Sequence, residues 1–229
     1  MIFQPLLSVT SNLGKRIESF GNFTQDSNHK YKYLYLIAGV HGDEVEGVYV
    51  LEKLIGEITS AEFQNQWKTM IPIVHIPIVN VDGYYAKTRV NANKVDLNRN
   101  LPTKDWNANG EDPKYYPGKF ALSEVENQFL EENFQKYPPY LCISFHSWKP
   151  MINYNGNCKD IADFLSSYCH YPSVPSVGYD TPGSLGTYLP EKYQAPVITY
   201  ELPVLNATNS LESIWLENRK GLLEFFLKK

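Results

Sequence analysis

Four separated segments of this 229-residue chain carry residue types that can bind and use a metal ion. They are His41 to Glu44, Asp96 to Asn100, His146 and Glu201. Two histidines and one carboxylate, here His41, His146 and Glu44, can hold Zn²⁺ and leave one coordination position for water. A second carboxylate, Glu201, can accept a proton from that water. These residue types together predict a zinc-dependent hydrolase.

Each segment is a weak signal when it is taken alone. A lone His-x-x-Glu occurs often in unrelated proteins, Asn98 and Arg99 can form a turn and a salt bridge, and Glu201 can be a surface carboxylate. Their positions are more specific, because each segment lies beside the end of a predicted strand or in one long loop. The combination therefore favours a site over four unrelated surface features.

The elements that must position these residues alternate between strands and helices. Runs rich in β-branched and aromatic residues predict strands at 31–40, 70–79, 140–146 and 195–200. Helical patterns are predicted at 45–58, 123–135, 159–168, 184–193 and 210–227. Alternation of this kind predicts an α/β sandwich with a largely buried sheet. We expect residues 1–229 to form a single domain.

The candidate residues follow these strands in a way that brings them together. His41 follows the first predicted strand, and a helix that begins near Val45 would turn Glu44 back towards it. His146 and Glu201 end two further strands. The carboxyl ends of parallel strands form the usual ligand crevice of α/β folds. The stretch 80–118 has no clear periodicity, and loops of that length are usually functional.

Composition narrows the class of protein and of substrate. Apolar residues make up 43% of the chain, which is enough for a substantial core, and the formal net charge is −4 with scattered basic residues. This pattern argues against a nucleic-acid surface and favours a small substrate. The cysteines, Cys142, Cys158 and Cys169, indicate reduced core thiols. No signal peptide or membrane-spanning run is evident, so we expect a cytoplasmic protein without a membrane partner.

From about Leu34 to Pro203 the chain resembles the M14 family of zinc carboxypeptidases. His41 and Glu44 resemble the paired ligand motif of that family, and His146, in Ser-Phe-His-Ser-Trp, resembles its third ligand. Lys87-Thr88-Arg89 and Asp96-Leu97-Asn98-Arg99-Asn100 are similar to the Thr-Arg and Asp-x-Asn-Arg-Asn segments of the family. Tyr200-Glu201-Leu202 is similar to the stretch with the general base. The resemblance implies the zinc carboxypeptidase sandwich, an α/β fold with a mixed, mostly parallel central sheet flanked by helices.

The resemblance also implies a role for each matching residue. His41, Glu44 and His146 would hold one Zn²⁺ per chain, although Co²⁺ or Mn²⁺ can use the same ligands. Glu201 would be the general base, and Arg89 would stabilise the oxyanion on the scissile carbonyl. Asn98 and Arg99 would hold the terminal carboxylate of the substrate, and Asp96 would orient the His41 ring. Tyr179 is near the position of a mobile tyrosine in the family, with Tyr188 and Tyr193 as alternatives.

Departures from the digestive enzymes point to one branch of the family. Asp43 stands where digestive carboxypeptidases carry an arginine, and a negative charge there can attract a cationic group. Together with Thr-Pro-Gly-Ser-Leu-Gly at 181–186, the motifs look most like those of the bacterial murein peptide amidases. These enzymes cut the bond between γ-D-glutamate and diaminopimelate. The resemblance implies a murein tripeptide substrate, and Asp43 could sense the second amino-acid head of diaminopimelate.

Two other functions are compatible with parts of this pattern. Deacylases of the aspartoacylase and succinylglutamate desuccinylase type share a similar His-Gly-x-Glu and Asp-Leu-Asn-Arg pattern, but they usually append a β-rich domain. Here 28 residues follow Glu201, and 210–227 is predicted to be one helix. A non-catalytic module that binds cell-wall peptides would normally have lost a ligand or the base. Side-chain preference depends on the loops at 105–118 and 174–186, and the sequence leaves the oligomeric state open.

Overall fold

A computed structural model of the chain describes residues 2–23, 32–67, 71–109 and 112–228. Within these residues eight strands form one sheet: β1 (Gln4–Thr10), β2 (Arg16–Gly21), β3 (Tyr33–Ile37), β4 (Ile73–Ile76), β5 (Pro139–Trp148), β6 (Met151–Asn155), β7 (Ser173–Val174) and β8 (Val197–Pro203). Their order across the sheet is β1-β2-β4-β3-β5-β8-β6-β7. The four central strands, β4, β3, β5 and β8, are mutually parallel. β2 and β6 join this centre in the antiparallel sense.

Helices cover both faces of the sheet. The α-helices of the described residues are α1 (Val45–Thr59), α2 (Ala61–Gln66), α3 (Val81–Ala86), α4 (Val125–Lys136), α5 (Lys159–Cys169), α6 (Leu185–Tyr193) and α7 (Leu211–Leu227). Apolar residues of α1, α2, α5 and α7 pack into one core cluster, and those of α3, α4 and α6 pack into a second. The fold is therefore a three-layer sandwich.

Strand β3 shows why the sheet is covered on both sides. All five of its residues are buried. Leu34 and Leu36 belong to one core cluster, whereas Tyr33, Tyr35 and Ile37 belong to the other. Successive strand residues point to opposite faces of a sheet, so a continuous apolar run needs a helical layer on each side.

The predicted fold class is confirmed, but the prediction lacks the outer strands of the sheet and two short helices. Each of the four predicted strands and five predicted helices has a counterpart that differs at its ends by a few residues; positions 31 and 70, which begin two predicted strands, lie outside the described residues. The prediction was incomplete for β1, β2, β6, β7, α2 and α3. The outer strands β1, β6 and β7 are short or only half buried, so their apolar signal is weak.

Two smaller expectations concern the cysteines and the membrane. Cys142, Cys158 and Cys169 are buried and form no disulfide, as expected of core thiols. In the part of the chain that the structure describes, no helix combines the length and the apolar character needed to cross a bilayer. The single domain stays a prediction, and all eight described strands belong to one sheet.

Candidate metal centre and active site

The candidate residues meet where the central strands end. His41 lies in the turn after β3, and Glu44 is the residue that precedes the first turn of α1. His146 on β5 and Glu201 on β8 are directly paired across neighbouring parallel strands. Paired residues of adjacent strands present their side chains on the same face of the sheet. The register therefore places the Glu201 carboxylate beside a predicted metal ligand.

Gly42 allows the turn that carries His41 to lie against the following segment of the chain. A Cβ atom at this position would lie 2.1 Å from the backbone carbon of Gly83 in α3. The Gly42 N–H also donates to the carbonyl of Arg89, at 3.3 Å. No larger side chain fits without moving backbone, so glycine holds His41 and Arg89 close together.

The three predicted ligands converge on one point. His41 Nδ1 lies 2.7 Å from Glu44 Oε1, His146 Nδ1 lies 2.8 Å from Glu44 Oε2, and the two Nδ1 atoms are 3.2 Å apart. Tetrahedral Zn²⁺ with bonds near 2 Å needs ligand atoms roughly 3.3 Å apart, so these atoms would have to separate by only a few tenths of an ångström. No other group of three such residues forms a candidate metal site within the described ranges.

The charges at this point also suit a cation. Burial opposes the charging of His41, but the neighbouring carboxylates of Glu44 and Asp96 outweigh burial and raise the pKa of His41 to about 9. Burial likewise opposes ionisation of Glu44, and contact with His41 and His146 nevertheless lowers the pKa of Glu44 well below its usual range. Two buried carboxylates around one imidazole make a site that attracts positive charge, as a metal site should.

The outward-facing nitrogen of each histidine is also held. His41 Nε2 lies 3.2 Å from Asp96 Oδ1, the contact predicted from the sequence. His146 Nε2 lies 3.0 Å from the hydroxyl of Ser144, which was not predicted. Ser144 precedes His146 by two residues on β5, so strand alternation could have identified it. Such partners fix the orientation of the ring and leave Nδ1 free to face the metal.

Glu201 has the environment of a proton acceptor. The side chain is buried, and its Oε2 has no hydrogen-bond partner among the described residues. Burial raises the pKa of Glu201 to about 6, although His146 nearby favours the charged form. A carboxylate with a pKa close to neutrality is still ionised at pH 7.5 and accepts a proton readily.

Arg89, Asn98 and Arg99 line the same pocket. Two nitrogens of Arg89 donate to Asp96 Oδ2, at 2.9 and 3.1 Å, and Nη1 lies 3.4 Å from Glu44 Oε1. Asn98 Oδ1 accepts from the Leu185 N–H at 2.8 Å, and Arg99 Nη1 donates to the Asn98 carbonyl at 2.6 Å. The structure thus brings Arg89, predicted to stabilise the oxyanion, and Asn98 and Arg99, predicted to hold the substrate carboxylate, to the pocket that contains the predicted metal ligands.

The segment Thr-Pro-Gly-Ser at 181–184 holds Arg99 in place. Gly183 has a φ of +71°, and a Cβ atom there would lie 2.1 Å from the Arg99 carbonyl oxygen. Its carbonyl accepts from the Leu101 N–H at 3.0 Å. Glycine is required by both the backbone angle and the close approach, which gives this sequence motif a structural reason.

The pocket has a volume of about 380 Å³, and both predicted specificity loops line it. Tyr179 is 45% exposed and contacts the rings of Trp148 and Tyr115. Its two sequence alternatives differ: Tyr188 is buried against Glu131, and Tyr193 bonds to the same carboxylate. Asp43 lines the pocket and is exposed. The structure thus brings Tyr179 and Asp43 to the pocket and leaves Tyr188 and Tyr193 outside it.

Sequence reasoning missed several pocket residues. Glu46 is buried and accepts from the Ser147 hydroxyl at 2.6 Å and from the Leu205 N–H at 2.7 Å, so it ties two pocket walls together. Trp148, Lys114 and Tyr115 also line the pocket. Lys114 and Tyr115 lie in a loop that was predicted to shape the pocket, and Trp148 closely follows the predicted ligand His146. Nothing in the residue types marked these positions as part of the site.

Comparison with known proteins agrees with this geometry. The family model described as zinc carboxypeptidase matches residues 6–209. Murein peptide amidase A of Vibrio campbellii is 30% identical over 188 residues, which cover 77% of this chain and 72% of that protein. The protein of the same name from Escherichia coli K12 is 30% identical over 189 residues, which cover 77% of this chain and 74% of that protein.

Solved structures show the same fold. Murein-tripeptide amidase of Escherichia coli O157 superposes with a TM-score of 0.67 at 25% identity, covering 95% of this chain and 89% of that one. Carboxypeptidase A of Helicoverpa armigera superposes with a TM-score of 0.78 at 18% identity, and the match covers 99% of this chain and 68% of that one. The family match spans most of the chain and includes every residue of the candidate site. The chain therefore belongs to the M14 family of zinc carboxypeptidases, and it is a hydrolase of that family.

Proposed function

We propose that this hydrolase cuts the amide bond between γ-D-glutamate and diaminopimelate in murein peptides. The observation that carries the proposal is a centre formed by His41, Glu44 and His146 with the buried Glu201 carboxylate beside it. The Oε2 atom of Glu201 has no hydrogen-bond partner among the described residues, and the relatives of the chain are named murein peptide amidases. The pocket of about 380 Å³ suits a short peptide rather than a protein chain. The substrate is a small murein peptide, with the tripeptide as its simplest form.

His41, Glu44 and His146 would hold the metal through two imidazole nitrogens and a carboxylate. Zn²⁺ at these ligands supplies a Lewis acid that polarises the scissile carbonyl and acidifies water. Glu201 accepts the proton of the attacking water at its free Oε2 and then passes a proton to the leaving amine as the carbon–nitrogen bond breaks. Asp96 keeps the His41 ring in the orientation that this arrangement needs.

The remaining pocket residues bind and orient the substrate. Arg89 aims its guanidinium at the metal ligands, where charge develops on the carbonyl oxygen. Asn98 and Arg99 hold the α-carboxylate of the diaminopimelate residue, whose two oxygens match a planar guanidinium. Tyr179 is exposed at the pocket and can close over the bound peptide. In the proposed complex, the arginine side chains therefore face the negatively charged oxygens of the substrate.

We also propose that Asp43 attracts an ammonium group of the substrate, namely that of the second amino-acid head of diaminopimelate. The residue is exposed and lines the pocket. An Asp43→Asn variant should lower kcat/KM for diaminopimelate-containing tripeptide about two- to fivefold, the range for an exposed charge pair. The measurement compares this substrate with a tripeptide whose last side chain lacks an amine. Equal losses on both peptides would remove the proposed contact.

The proposed reaction is tested with zinc-loaded protein and L-alanyl-γ-D-glutamyl-diaminopimelate. We expect mass spectrometry to detect free diaminopimelate and the dipeptide L-alanyl-D-glutamate in equal amounts. The matched control is the α-linked isomer, which should be cleaved much more slowly. If the γ-linked tripeptide stays intact in metal-replete protein, the murein proposal is wrong, and ordinary C-terminal peptides and N-acyl amino acids become the substrates to test.

The setting of this reaction is part of the proposal. A cytoplasmic enzyme that recycles murein peptides would work on fragments already released from the wall, which agrees with a pocket of this size. We further propose that residues 1–229 act as one catalytic domain, since every described strand lies in one sheet and the ligands come from its central strands or the turns beside them.

A further inference from the structure

Three cations of the pocket share one aromatic ring. The Cζ atoms of Arg89 and Arg99 each lie 5.3 Å from the centre of the Tyr115 ring, and Lys114 Nζ lies 5.4 Å from it. Because each is at most 5.4 Å from the same point, no two of these cations are more than about 11 Å apart. Three positive charges of the pocket therefore surround one pocket-lining ring.

Two of the three cations donate hydrogen bonds to other residues, whereas Lys114 contacts the Tyr115 ring. Arg89 is bound to Asp96, and Arg99 donates to the Asn98 carbonyl. Lys114 is exposed and forms no ion pair with any residue that the structure describes. It belongs to the 3₁₀ turn Pro113–Tyr115, whose first residue is a proline and whose start is capped by Asp112. Lys114 is thus an available cation on a short ordered turn.

The proposed substrate carries one carboxylate, that of D-glutamate, to which the proposed function assigns no protein residue. This step rests on the proposed function. A γ-linked D-glutamate keeps its own α-carboxylate, four bonds from the scissile carbonyl carbon. An α-linked residue carries a carboxylate at that separation only when it is itself a glutamate. Asn98 and Arg99 are taken by the α-carboxylate of diaminopimelate, and Arg89 by the developing oxyanion. The second carboxylate therefore needs another cation.

Lys114 is the pocket cation that has no assigned role and could bind this second carboxylate. The acidic lining residues of the pocket, Asp43, Glu44, Glu46 and Glu201, would repel a carboxylate, and its lysine and arginine residues are Arg89, Arg99 and Lys114 alone among the described lining residues. We infer that Lys114 binds the free α-carboxylate of the γ-linked D-glutamate and so favours acyl residues that carry a carboxylate at this distance from the scissile bond over those that lack one. Lys114 acts here as a specificity-determining residue that contacts the substrate.

The test uses two substrates that differ only in this group. One is L-alanyl-γ-D-glutamyl-diaminopimelate, and the other is the same peptide with the α-carboxylate of D-glutamate converted to a carboxamide. For the wild-type protein we expect kcat/KM to be several-fold higher on the carboxylate. In Lys114→Met this preference should fall about fivefold, with most of the change in KM, and Lys114→Arg should restore it.

The control is Lys119→Met, which removes an exposed lysine of the same loop that does not line the pocket. It should keep the wild-type preference. Zinc content and thermal unfolding of each variant show that the fold and the metal site are intact. The inference is overturned if Lys114→Met loses rate equally on both substrates or leaves the preference unchanged. If the wild-type protein cleaves neither peptide, the proposed function fails as well, and this outcome is seen before any variant is compared.

Discussion

A Glu201→Gln variant is expected to turn over its substrate roughly 10³-fold more slowly while it still binds one zinc ion per chain, the loss typical of removing a general base. Glutamine has nearly the same shape as glutamate, but its amide cannot accept the proton of water. Glu201 Oε2 has no hydrogen-bond partner among the described residues, so few contacts are lost with the carboxylate. The substitution therefore separates proton transfer from metal binding.

Steady-state kinetics and metal analysis of the same preparation check this result. Because Glu201 lies outside the set of ligand atoms formed by His41, Glu44 and His146, zinc content should equal that of the wild-type protein. KM should change much less than kcat, since the side chain acts in the transition state rather than in substrate binding. A variant with a nearly normal rate would contradict the assignment of Glu201 as the base.

Replacing His146 with alanine should abolish metal retention and activity together. The Nδ1 atom of His146 is one of three ligand atoms, and the two that remain, from His41 and Glu44, cannot form a stable zinc site. The loss of the ring also leaves Glu44 with one buried partner fewer, so the thermal stability of the variant should fall. Dialysis against buffer without zinc, followed by elemental analysis and an activity assay, measures both effects.

Ser144→Ala is the matched control for this variant. It removes the hydroxyl that lies 3.0 Å from His146 Nε2 but leaves all three ligand atoms. Partners of this kind change metal affinity by about 10- to 100-fold, so the variant should bind zinc more weakly and recover activity when zinc is added. Recovery of His146→Ala at the same zinc concentration would show that His146 is not a ligand.

The central part of the fold was predictable from local patterns. The runs that form β3, β5 and β8 are apolar and rich in β-branched or aromatic residues. Apolar residues of the long helices pack into the two core clusters. Strand β6, which lies between β8 and the edge strand β7, reads Met-Ile-Asn-Tyr-Asn, and its residues Asn153 and Asn155 line the pocket. Such a strand is held by its pairing with β8, which is a tertiary contact that a local pattern cannot reveal.

The metal centre was predictable because its residue types are few and its motifs are specific. His41, Glu44 and His146 lie where a parallel sheet collects strand ends, and the structure brings their ligand atoms together. Ser144, Glu46 and Tyr115 were not predicted as site residues, since serine, glutamate and tyrosine are common types with many structural roles. Their importance follows from contacts with His146, Ser147 and the pocket cations.

The sequence by itself determined the chemistry of this protein: which side chains can hold zinc, which can accept a proton, and which sheet carries them. These properties belong to residue types and to patterns along a short stretch of chain. Only the tertiary structure decided how the loops at 105–118 and 174–186 meet the strand ends, and hence that Lys114 lies with Arg89 and Arg99 around one ring. The physical reason is that charge and shape in a pocket depend on distances between residues far apart in the chain, and backbone packing sets those distances.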